Sequence, residues 1–154
     1  MNPPALKIEV VWFDADLMEL CLSAWNANFA GRANFYASFD EPASFAKHIE
    51  GFPTHRDDVR EYQFGSANVP GWGGATVKLS CRDGSGHLLL RVTVHTNPDE
   101  AGEVAESATV HLHIVPAAID EFVHGLRRMR AQVGETVELE NASSPVTASS
   151  PFPE

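Results

Sequence analysis

Apolar and polar positions alternate from the start of the chain. Leu6, Ile8, Val10 and Trp12 are set against Lys7, Glu9, Val11 and Phe13, the two-residue period of a strand with one covered face. Asp14-Ala15-Asp16 reads as a turn, after which Met18, Leu20, Leu22 and Ala24 alternate with Glu19, Cys21, Ser23 and Trp25. Ala33, Phe35 and Ala37 then alternate with Asn34, Tyr36 and Ser38. Three such segments predict an antiparallel meander. Asp40 before Glu41-Pro42 predicts a capped helix start, Phe45 and Ile49 fall one turn apart, and Gly51 and Pro53 stop the helix. Residues 54–59 read as loop, and a short strand is expected over 60–64.

The pattern is clearest between 74 and 130. Ala75, Val77, Leu79 and Cys81 alternate with Thr76, Lys78, Ser80 and Arg82, and Asp83-Gly84-Ser85-Gly86 supplies hairpin chemistry. Leu88, Leu90, Val92 and Val94 return on the same face, and an acidic connection leads to Ala108, Val110, Leu112 and Ile114, closed by Pro116. Ile119, Phe122, Val123, Leu126 and Met129 fall at helix spacing, with Asp120 and Glu121 near the start and Arg127, Arg128 and Arg130 at the end. That charge order suits the helix dipole. Val137 and Leu139 suggest a last short strand. The expected fold class is α+β: a curved antiparallel sheet of about six to eight strands with two helices, the 117–130 helix packed on the apolar face. Residues 1–140 form a single domain in this reading, and the Ser- and Pro-rich 141–154 a disordered tail.

If the 75–82, 87–95 and 109–115 strands are neighbours, their outward set is Thr76, Lys78, Ser80, Arg82, His87, Leu89, Arg91, Thr93, His95, Thr109, His111, His113 and Val115. No carboxylate occurs among them, although the chain holds 21 acidic residues. This segregation nominates Lys78, Arg82, Arg91, His95, His111 and His113 as a binding surface for an anion or an acidic partner. Trp72, in the Gly-rich stretch Val69–Gly74, is the other candidate contact, although a ring tucked over the core edge is the expectation for a large aromatic. His111 and His113 two apart on a strand, with His95 on its neighbour, also match a three-histidine zinc site. An Arg beside the rings and the lack of a carboxylate behind them argue for a solvated sheet face instead.

The net charge of −10 excludes general nucleic-acid binding, which relies on clustered Lys and Arg. No apolar run reaches membrane-spanning length, and the start, MNPPALKIEVVW, has no export signal. Together with only two cysteines, this gives a cytoplasmic expectation. Cys21 and Cys81 fall on opposite alternation sets, so no disulfide is expected. Asp14 with Asp16, and Asp57 with Asp58, are read as turn residues. No nucleophile elbow, phosphate loop, HExxH or paired CxxC occurs, so no catalytic residue and no cofactor are assigned.

The segments FYASFDEPASFAKHIEGFP and GATVKLSCRDGSGHLLLRVTVHT resemble a family of small bacterial single-domain proteins of unknown function, marked by a D-x-x-G-H-[VL]-x-L-x-V hairpin motif. Asp83, Gly86, His87, Leu88, Leu90 and Val92 carry the match. The resemblance spans about residues 6–130 and implies a bacterial cytoplasmic domain of the immunity or accessory kind. It carries over no catalytic residue. Two readings of function follow. The first is a non-enzymatic protein-binding domain, immunity-type or regulatory, acting through a polar sheet face or acidic loops. The alternative is a small-molecule or metal-dependent enzyme with its site on the His/Arg face. A homodimer with Leu89 and Val115 as apolar contacts is a third arrangement.

Overall fold

The computed structural model describes residues 3–66, 69–98 and 104–140; the tail assigned to 141–154 lies outside them. Eight strands and two helices follow in the order β1 (Ala5–Phe13), β2 (Met18–Trp25), β3 (Ala30–Ala37), α1 (Glu41–Ile49), β4 (Val59–Gly65), β5 (Gly74–Cys81), β6 (Leu88–Thr96), β7 (Glu106–Ile114), α2 (Pro116–Arg128) and β8 (Thr136–Glu140). The fold is α+β with wholly antiparallel pairing.

The strands divide into two four-stranded sheets, β3-β2-β1-β8 and β4-β5-β6-β7, rather than forming one curved surface. All eight carry an apolar set, and two sheets laid face to face cover those sets mutually. α1 takes the chain out of the first meander, and β8 returns to pair with β1. The inner faces share one core: Leu6, Leu20, Leu22 and Phe35 from the first sheet, with Val77, Leu79, Leu90 and Leu112 from the second, are all at most 2% exposed.

β3 lies across β4, β5, β6 and β7. A Cβ on Gly31 would sit 2.9 Å from both Ala108 Cβ and Val94 Cγ2, so the absence of a side chain lets the sheets approach there. At the other side the helices pack together and bridge β8 to β4. Phe45 of α1 meets Phe122 of α2 at 5.8 Å and Phe64 of β4 at 4.9 Å between ring centroids. α2 thus joins the core through Ile119, Phe122, Val123 and Leu126, packed on α1 and β8.

Three local expectations change. Asp40 precedes α1 but makes no side-chain cap; its carboxylate accepts from Ser38 Oγ at 2.6 Å, and its backbone carbonyl accepts from Ser44 N. Asp120 and Glu121 lie beyond the first turn of α2, which begins at Pro116 and holds no acid. The third change bears on function. Val10 pairs with Leu20 but Trp12 pairs with Glu19, with a register shift between them. This bulge admits one extra residue and reverses the alternation beyond it. Trp12 therefore leaves the inward set and stands on the outer face, 42% exposed.

Candidate binding faces

The outer face of the second sheet is built by register. Glu61, Lys78, Arg91 and His111 form one row across β4 to β7, and Gln63, Thr76, Thr93 and Thr109 form the next. In that second row Thr76 Oγ1 donates to Gln63 Oε1 at 2.6 Å, and the Thr93 and Thr109 hydroxyls lie 3.0 Å apart. Leu89 lies opposite His113, and Arg82 Nη1 comes within 3.4 Å of His113 Nδ1. The guanidinium, itself always charged, donates to a neutral ring there. Partial burial, then the charges of Arg82 and His111, push the His113 pKa below its usual value. Lys78, Arg82 and Arg91 supply the fixed cations of this face.

β4 corrects the picture of a face without carboxylates. Glu61 is exposed and lies opposite Lys78, a contribution overlooked because β4 was not placed beside β5. At the hairpin, Asp83 Oδ1 accepts from Ser85 N at 2.7 Å, Asp83 Oδ2 lies 3.0 Å from His87 Nδ1, and Gly86 takes a φ of 85°, as the turn chemistry required.

The three histidines do not converge. His95 lies opposite Ser107, four residues along β7 from His111, roughly 13 Å at about 3.3 Å per residue. Its ring folds over Gly74, its partner on β5, which offers no side chain to hold it outward; its Nε2 is buried without a hydrogen-bond partner among the described residues. Arg91 stands directly opposite His111, adding a fixed cation where a metal would sit. Among the described residues no group of three or more His, Cys, Asp or Glu is arranged to hold a metal. Cys21 and Cys81 are free and half-buried.

Trp72 is not tucked over the core edge. It is 39% exposed and meets Tyr36 edge to face, with 5.7 Å between ring centroids. Its backbone is held in place: Asn97 Nδ2 donates to the carbonyls of Trp72 and Ser66, both at 2.7 Å, and Gly71 N donates to Asn97 O at 2.6 Å. Tyr36 in turn meets Trp12 at 6.3 Å. Trp12, Glu19 and Tyr36 form one row across β1, β2 and β3, and Asn34 Nδ2 donates to Glu19 Oε2 at 2.9 Å. This aromatic row on the outer face of the first sheet was missed because alternation alone sends Trp12 inward. The exposed run Trp12-Phe13 at the strand's end was the available signal.

Comparison with protein-family models, curated proteins and solved structures finds no match, so the reading of both faces rests on their geometry. No helix among the described residues is long and apolar enough to cross a membrane.

Proposed function

We propose that the chain is a non-enzymatic protein-binding domain, immunity-type or regulatory, that presents the outer face of its second sheet to an acidic surface of another protein. The supporting observation is the cross-strand row Glu61–Lys78–Arg91–His111 with Arg82 and His113 beside it. These side chains stand on strands whose opposite faces are buried in the core, so their spacing is set before a partner arrives. A sheet face suits a macromolecule, whereas small-molecule sites are concave. A local cluster of cations on a chain of net charge −10 orients an acidic partner and repels it from other approaches. The bacterial and immunity-type part of the proposal rests on the resemblance of the Asp83–Val92 hairpin.

The test is capture from a lysate of the source organism with wild type and the Lys78→Glu/Arg91→Glu variant, at low and moderate salt. A partner held by wild type, released by salt and absent from the variant supports the proposal. Equal retention by both proteins, or no specific partner at either salt, overturns it.

A further inference from the structure

The outer face of the first sheet carries a different chemistry. Trp12, Tyr36 and Trp72 are 42%, 40% and 39% exposed and touch in series. Phe39, just beyond β3, is 44% exposed, whereas Phe13, at 45%, belongs to the inner-face row of Met18 and Ala37. Contiguous exposed aromatics of this extent mark interaction sites in soluble proteins, and Trp and Tyr dominate the energetics of such sites.

Three features indicate what the row receives. Neighbouring rings stand at 80° and 64° to one another, making corners rather than the coplanar platform on which a sugar ring stacks. Corners of aromatic faces receive cations through the ring quadrupole. Glu19 lies between Trp12 and Tyr36 in the register, held by Asn34, and supplies a counter-charge. The cations of this face are remote: Lys7 and Arg32 share the row of Ser23, four residues along β2 from Glu19, and Lys7 is paired with Glu9 at 3.4 Å. The chain as a whole carries 21 acidic against 11 basic residues, which favours approach of a basic partner.

We propose that Trp12, Tyr36 and Trp72, with Glu19, form a docking site for an arginine- or lysine-bearing segment of a partner protein. The site lies on the sheet opposite the Lys78–Arg91 face and is independent of it. The bulge in β1 delivers Trp12 to the outer face, and Asn97 fixes the backbone that presents Trp72. Both rings are thereby placed before a ligand arrives, which lowers the ordering cost of binding.

Isothermal titration calorimetry with an eight-residue alternating Gly-Arg peptide tests this, with a hexamer of N-acetylglucosamine as the neutral alternative. Wild type is expected to bind the peptide at one site per chain and not the sugar. Trp72→Ala should weaken binding about 5- to 10-fold and Glu19→Gln about 3-fold, in line with exposed to partly desolvated cation–π and ion-pair energies. Trp72→Phe should retain most of the affinity, and Lys78→Glu/Arg91→Glu should not weaken it, separating this site from the other face. Thermal melts of each variant establish that it is folded. Peptide binding unchanged in both Trp72→Phe and Glu19→Gln, and in a folded Trp72→Ala, would reduce the attraction to net charge and overturn the proposal. Binding of the sugar in place of the peptide would overturn it too.

Discussion

Replacing Arg60 by Met is expected to destabilise the chain by about 2–3 kcal/mol and to reduce its sensitivity to acid. Arg60 Nη1 donates to the carbonyls of His48 at 3.2 Å and Glu50 at 2.7 Å, closing the end of α1. Its Nη2 and Nε reach Asp58 at 2.9 and 3.4 Å, with the two side chains only 18% and 12% exposed. Asp58 also accepts from the Thr54 N–H at 2.9 Å and its hydroxyl at 3.1 Å. Water can replace the donor at the helix carbonyls, so those two bonds contribute about 0.5–1 kcal/mol each, and the shielded ion pair about 1 kcal/mol. Met keeps an apolar stem near Phe52, over which the guanidinium lies at 5.2 Å. The hydrogen bond from Arg60, then that from the Thr54 amide, lower the Asp58 pKa from 3.8 to about 2. Between those values the unfolded chain binds more protons than the native one, so stability rises with pH. The contribution is complete above the ordinary carboxylate range and disappears as pH falls through about 2. Asp14, Glu50 and Asp83 are lowered as well, so Asp58→Asn is the reference that isolates this group. Urea unfolding at pH 4.5 and 2.5 should show wild type losing about 1–2 kcal/mol more than Asp58→Asn. The excess should shrink in the Arg60→Met background, where the Thr54 bonds remain. Arg60→Met within about 0.5 kcal/mol of wild type, or Asp58→Asn with the wild-type pH slope, would refute the reasoning.

Gly31→Ala should cost about 1–3 kcal/mol, because the new methyl meets Ala108 and Val94 at 2.9 Å where the sheets close on each other; a urea midpoint at or above wild type would contradict that packing. The His113 ring should titrate below the usual histidine range by NMR, and Arg82→Met should raise its midpoint by removing an adjacent cation. A midpoint indifferent to Arg82 would place the guanidinium elsewhere. Equimolar zinc should leave the melting temperature unchanged, since His95 is separated from His111 and His113 by the β6–β7 register; a zinc-dependent rise abolished by His113→Ala would show that the register is wrong.

Much of the fold was legible because its determinants are local. Alternation placed the β5–β6 hairpin and its turn, where Asp83, Ser85 and Gly86 interact within four residues. The Pro116 start and buried stripe of α2 are equally local. Partner choice is not. Thr136–Glu140 carries two apolar positions and no indication that it will join β1 rather than β7. Once β8 joins β1 and β4 joins β5, the helix pair spans between those strands, and the strands make two sheets. The Lys78–Arg91–His111 row was anticipated in composition, since each strand's outward set follows from parity. Its carboxylate was not, because Glu61 enters only through the β4–β5 pairing.

The aromatic row shows why a site on a sheet can hide from periodicity while its parts are visible. Each ring belongs to a different segment, and three separate devices bring them together. One extra residue after Val10 turns Trp12 outward, the β2–β3 register sets Tyr36 across from Glu19, and Asn97, from the end of β6, holds the carbonyl of Trp72. A single change in any device separates the rings without altering their sequence. Were Val11 paired in regular register instead of bulged, alternation would direct Trp12 inward, toward a core already filled by Phe35 and Phe64 at 5.2 Å centroid separation. The bulge thus does two things at once: it keeps an indole out of a packed interior and gives the first sheet an outward aromatic. The conformation that protects the core is the one that builds the surface.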